Sequence, residues 1–251
     1  MAPKLCKLLV ACLLLLVVPR LWGEGPCPAG TEDMLTWFTM DAKLRANQHL
    51  EGNVNPMYTQ VWSPDASGLG KFFWVKSAKG FPWDVHLYDD DFIYDWLTES
   101  SWSDPQTYKR FVNNRTLPLS PRCVQPGDGK NPNATIMIAN TVYEAHTSCS
   151  QYAYKNLKKS INQVFGPSPM SFGGDLPDNI PTMTVTYQYN CDANYQNCGD
   201  KEEYYLVKPY GLVEWRHYIL QGSDYRIDNT TTFNRLAAGQ TKAVLPCFDQ
   251  H

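Results

Sequence analysis

Short runs of apolar and aromatic residues, broken by clusters of Gly, Pro, Asn and Asp, recur along most of the chain. Residues 35–40 (LTWFTM), 57–62 (MYTQVW), 72–77 (FFWVKS) and 83–88 (WDVHLY) carry the β-branched and aromatic side chains that suit a pleated, half-buried surface. Residues 92–98, 134–142 and 183–191 continue the series. Residues 204–208 and 212–220 flank Pro209-Tyr210-Gly211, which predicts a hairpin with a three-residue loop. Strands this short and this closely spaced favour an antiparallel β-sandwich of jelly-roll type over an alternating α/β fold.

The alternation also assigns faces, because successive side chains of a strand point to opposite sides. In 83–88, Trp83, Val85 and Leu87 share one side and Asp84, His86 and Tyr88 the other. In 212–220, Val213, Trp215, His217 and Ile219 lie together, which makes His217 a core histidine held by a hydrogen bond. One stretch departs from the period of two. In 151–165, Ala153, Leu157, Ile161, Val164 and Phe165 recur at helical spacing before Gly166-Pro167, predicting one amphipathic α-helix packed on the sheet.

The N-terminus changes the compartment. Lys4 and Lys7 precede an apolar run of 11 residues (8–18), followed by Pro19-Arg20 and the small residue Gly23. That layout predicts a signal peptide over 1–23, with a run well short of the roughly 20 residues that span a bilayer. Residues 24–251 then form a single β-rich domain, secreted and extracellular, or periplasmic in a bacterium. The chain holds eight cysteines, of which Cys6 and Cys12 leave with the leader. The six that remain imply two or three disulfides. Cys191 with Cys198 is the expected local pair, and Cys27 with Cys247 and Cys123 with Cys149 complete the set. Net charge is −3 and becomes more acidic once Lys4, Lys7 and Arg20 are removed. Without basic runs the surface excludes nucleic acid as a partner, and no stable membrane insertion is expected after cleavage.

Aromatic residues make up 13% of the chain, and several stand near strand ends and loops, among them Trp102, Tyr88, Tyr189 and Tyr195. Rings with convergent polar groups are the usual form of a small-ligand or sugar site. Trp102, Asp84, His86, Tyr88 and Glu99 are the candidate ligand-binding residues. Asp89-Asp90-Asp91 reads as a polar turn; the alternative is calcium held by Asp89 and Asp91, since hard oxygen ligands suit that ion. No other cofactor is expected. Residues 192–203 match part of a calcium-loop spacing but carry Asn197 where such loops need Gly, so a disulfide-closed hairpin tip is the simpler account. Sequons occur at Asn114, Asn133 and Asn229. Short motifs for serine hydrolases, zinc proteases and nucleotide binding are absent. The leading expectation is a domain that binds a glycan or small ligand through an aromatic and acidic groove. One alternative is a carbohydrate-active hydrolase or lyase with a carboxylate pair drawn from Glu51, Asp84, Glu99 and Glu214. The other is an extracellular structural or protein-interaction module.

Overall fold

The computed structural model describes residues 27–39, 46–48, 56–62, 71–77, 82–99, 108–111, 117–139, 141–148, 151–157 and 159–237. The leader 1–23, Glu51, Trp102, Asn114, Cys149 and Cys247 lie outside them. The first half comprises β1 (Glu32–Asp33), α1 (Leu35–Phe38), β2 (Ala46–Gln48), β3 (Pro56–Trp62), β4 (Lys71–Ser77), β5 (Pro82–Tyr88), β6 (Phe92–Glu99), β7 (Tyr108–Phe111), β8 (Leu117–Pro121) and β9 (Cys123–Val124). The second half comprises β10 (Ala134–Ile138), β11 (Thr141–Ser148), β12 (Gln151–Leu157), β13 (Lys159–Met170), β14 (Ile180–Cys191), β15 (Cys198–Val207), β16 (Gly211–Gln221), β17 (Asp224–Thr232) and β18 (Arg235–Ala237).

The protein is mostly β, built as a curled antiparallel sheet. Among the described residues, one six-stranded unit runs β10-β13-β14-β15-β16-β17. A ten-stranded unit runs β12-β11-β7-β6-β5-β4-β3-β2-β18, with β8 paired to β6, and β1 pairs with β9. Most neighbours are consecutive in the chain, as in a meander. The two units meet through one core. Val164, Val185, Tyr204 and Leu206 of the smaller unit pack with Tyr88, Ile93, Leu117 and Leu119 of the larger. Trp37 and Phe38 of α1 join them, and burying such side chains stabilises by about 1.5–3 kcal/mol each.

The strands expected at 57–62, 72–77, 83–88, 92–98 and 183–191 form, and so does the hairpin around Pro209-Tyr210, where the Tyr210 N–H bonds the Val207 carbonyl at 2.7 Å. Three expectations are corrected. Residues 151–165 are strands β12 and β13, not a helix. The helical spacing was a coincidence of mixed faces: Ser160, Asn162 and Val164 point into the core while Ile161, Gln163 and Phe165 are half-buried on the other side. Asn162 tolerates the interior because its amide N–H₂ bonds the Pro118 carbonyl. Gly166 does not end the segment but sits at a break in β13–β14 register with φ +104, where a Cβ would lie 2.6 Å from the Thr182 carbonyl.

Second, residues 35–38 form one helical turn, not a strand. The Asp33 carboxylate accepts from the Leu35 N–H at 3.0 Å and the Thr36 hydroxyl bonds the Asp33 carbonyl, so a local polar cap overrides the strand propensity of the run. Third, Cys27 bridges Cys123, not Cys247, and Cys123 is therefore not paired with Cys149. The cause is the β1–β9 pairing, which places Asp33 opposite Cys123 and brings the preceding segment alongside. Buried Arg122 reinforces this junction, donating to both Asp33 oxygens at 2.5 and 2.9 Å and to the Asp89 carbonyl at 3.1 Å. The Cys191–Cys198 bridge forms as expected. These two disulfides fit an oxidising, extracellular-type compartment. Among the described residues no helix is long and apolar enough to cross a membrane.

Candidate ligand-binding site

The register of β13 to β17 lays one row of side chains across the core-facing side of the smaller unit. Asn162 stands opposite Tyr187, Tyr187 opposite Glu202, Glu202 opposite His217, and His217 opposite Asn229. The adjacent row on the same side is Val164, Val185, Tyr204, Trp215 and Thr231. Tyr189 and Asp200 begin the row beyond. A polar row thus borders the apolar core on one side and opens toward solvent on the other.

Glu202 is the hub. Its carboxylate accepts from the Tyr204 hydroxyl at 2.6 Å, the Trp215 indole N–H at 3.1 Å and the Tyr189 hydroxyl at 3.3 Å. His217 lies beside it, with Nδ1 3.0 Å from Asp228 Oδ2 and Nε2 3.3 Å from the Tyr189 hydroxyl and 3.6 Å from Asp200 Oδ1. Rings line the same site. Tyr187 stacks on Tyr189 with centroids 4.7 Å apart, and Trp215 lies parallel to His217 at 6.1 Å. Burial and the nearby charges of Glu202 and Asp200 push the Tyr189 phenol far above its ordinary range. Tyr187 is only 4% exposed, and among the described residues its hydroxyl has no hydrogen-bond partner. Burial, then Glu202, Tyr189, Asp95 and Asp200, raise its phenol as well. Asn162 is fully buried, and its carbonyl oxygen is likewise unpartnered.

The opposite face of the same strands is organised differently. Glu203 accepts from Lys201 Nζ at 2.8 Å, from the Tyr218 hydroxyl at 2.7 Å and from the Tyr205 hydroxyl. Burial alone would push the Glu203 carboxyl up; hydrogen bonds from Lys201, Tyr205 and Tyr218 outweigh it and hold the group below its usual range. Glu214 pairs with Arg216, whose guanidinium also lies over the Tyr205 ring. Lys201 lies over Tyr218 at 4.1 Å.

The residues singled out from sequence fall elsewhere. His86 and Tyr88 do share a side of β5, but that side faces the core, where they are 2% and 8% exposed. His86 packs edge-on against Phe38, and Asp95 Oδ1 lies 3.8 Å away, too far for a hydrogen bond. Full burial disfavours the charged ring and lowers its pKa to about 4, although a bond to the Tyr94 backbone acts the other way. Tyr88 lies under Arg122. Asp84 and Glu99 are placed by backbone register alone, opposite Thr98 and Tyr108. Asp89 closes a turn: Oδ1 accepts from the Asp91 and Phe92 N–H groups and Oδ2 from the Tyr94 hydroxyl. Asp192 does the same at the hairpin tip, accepting from the Asn194 and Gln196 N–H groups and the Asn197 amide. Among the described residues no three His, Cys, Asp or Glu converge as a metal would need. Asn229 is exposed, whereas Asn133 is half-buried with its amide bonded to the Gly166 carbonyl.

Glu202, Tyr187 and Asp200 were not among the sequence candidates. The signal was present in residues 200–205 (DKEEYY), whose alternation separates Asp200, Glu202 and Tyr204 from Lys201, Glu203 and Tyr205. Comparison of the chain with known protein families, with curated proteins and with solved structures finds no match in any of the three.

Proposed function

We propose that this protein is an exported β-sandwich domain that binds a small ligand, of glycan or small-molecule size, at the acidic and aromatic row on the inner face of β13–β17. The observation that carries the reading is the pair Glu202 and Tyr187. Glu202 gathers three donors from Tyr189, Tyr204 and Trp215 into one fixed geometry, and the Tyr187 hydroxyl beside it is buried with nothing to bond. Leaving a buried polar group unpaired costs roughly 1–3 kcal/mol, which a ligand group occupying that place would relieve. Ring faces with a few convergent polar groups are the general form of small-ligand sites. Export is part of the proposal; the disulfides Cys27–Cys123 and Cys191–Cys198 and the leader-like residues 1–23 support it.

The test is a thermal-shift screen of the purified protein against soluble oligosaccharides and small polar metabolites. At least one compound is expected to raise the Tm, and Trp215→Phe and Tyr189→Phe, each removing one donor to Glu202, should both diminish the rise. Hits that neither substitution affects would move the binding site away from this row.

A further inference from the structure

We infer that the ligand of the Glu202 row is a small organic cation, an amine carried on a flat or aromatic body. This rests on the row being a ligand site, and it follows from which hydrogen-bonding capacity the row still has. Apart from the Tyr187 hydroxyl, its tyrosine and tryptophan donors are committed: the Tyr204 and Tyr189 hydroxyls and the Trp215 N–H point at Glu202. What remains is acceptor capacity on Asp200, Glu202 and Asp228, together with the buried carbonyl oxygen of Asn162. A neutral sugar presents hydroxyls that need donors and acceptors in comparable number. An anion would meet three carboxylates. A ligand rich in N–H donors and positively charged is the complement of this surface.

Two further features agree. Asn162 and Tyr187 stand directly opposite each other in β13 and β14, 0% and 4% exposed, and among the described residues the Asn162 carbonyl oxygen and the Tyr187 hydroxyl have no hydrogen-bond partner. The amide oxygen accepts only and the phenol oxygen can accept, so an amine between them has an N–H for each oxygen. The stacked Tyr187–Tyr189 pair and the parallel Trp215–His217 pair present ring faces, whose negative quadrupole attracts a cation. The basic groups of these strands do not cancel the acids. Lys201 and Arg216 point to the opposite face, paired with Glu203 and Glu214. On the inner side, His217 is flanked by Asp200 and Asp228, and Arg226, opposite Ile219, sits exposed on the edge strand.

An isosteric charge series tests the inference by calorimetric titration of the whole protein at pH 7 and low salt. The probes are phenethylamine, 2-phenylethanol and 3-phenylpropionate. The amine should bind about tenfold or more tightly than the alcohol, and the carboxylate should give no heat. Glu202→Gln should weaken the amine by about tenfold while leaving the alcohol within about twofold, and Tyr187→Phe should weaken the amine by a few fold. Near-ultraviolet circular dichroism checks that both variants keep the native fold. If the alcohol or the carboxylate matches the amine and binding still depends on Glu202, the charge assignment fails and the site stands. If no probe binds and the thermal-shift screen is also silent, a buried water satisfies Tyr187 and Asn162, and both the assignment and the site fall.

Discussion

Glu202 and Glu203 are adjacent in the chain, lie on the same strand and each accept three hydrogen bonds, yet the two faces they occupy are built to opposite plans. On the outer face the acid is neutralised. Lys201 pairs with Glu203 and Arg216 with Glu214, two tyrosine hydroxyls complete the Glu203 shell, and aromatic rings lie beneath both cations. On the inner face Glu202 bonds neutral donors only, two more aspartates flank His217, and a buried hydroxyl has no partner. A balanced cluster stabilises a sheet; an unbalanced one keeps repulsion and unmet hydrogen bonds in the free protein that a bound cation removes.

The comparison is broken or sharpened first by substituting the two acids alike. Glu203→Gln places an amide N–H₂ against either the Lys201 ammonium or two phenol donors and should lower the unfolding free energy by about 3 kcal/mol. Glu202→Gln should cost less than about 1 kcal/mol. Its oxygen still accepts from Tyr204 and Trp215, its N–H₂ can donate to Tyr189, and the Tyr189 proton turns to His217. Urea denaturation of both variants gives the answer; equal losses would erase the distinction between the faces.

Acid separates the layers next. The His86 ring beneath the inner face has its pKa lowered to about 4 by burial, against 6.5 in the unfolded chain. The folded protein therefore binds fewer protons between those values, so stability is full above pH 6.5 and falls as pH drops toward 4, by roughly 3 kcal/mol. The outer face follows at lower pH. The Glu203 carboxyl is held below the 4.5 of an ordinary glutamate, so its contribution is intact above that pH and is lost as pH falls through the lowered value. Urea midpoints measured from pH 7 to 3 should show both losses, and His86→Phe should remove only the upper one. The smallest effect belongs to Tyr187→Phe, which deletes a hydroxyl that bonds nothing and should leave stability unchanged or raise it by about 0.5 kcal/mol. A loss above about 1 kcal/mol would mean the hydroxyl has a partner.

Much of the strand series was legible because burial on one face imposes a period of two, as in residues 57–62 and 183–191. What could not be read was pairing. Cys27–Cys123 depends on β1 meeting β9, a contact between segments far apart in the chain. The site was hidden by one residue. Counting back evenly from the Pro209-Tyr210 turn would set Glu202 opposite Arg216. A bulge at Val213, between the Leu206–Leu212 and Tyr205–Glu214 pairs, shifts the register and sets Glu202 opposite His217 instead. That slip assigns Lys201, Glu203 and Arg216 to one face and Glu202, Trp215 and His217 to the other. The helix expected over 151–165 failed for a related reason: Asn162 and Ser160 face the core, so the inward side of β13 is too polar to show alternation.

The most direct test is the ligand-induced rise in Tm, measured side by side in Glu202→Gln and Glu203→Gln with saturating phenethylamine. The account predicts a near-native Tm with a clearly smaller rise in Glu202→Gln, and a lowered Tm that keeps the full rise in Glu203→Gln. The reverse pattern, or the same pattern in both, would contradict it.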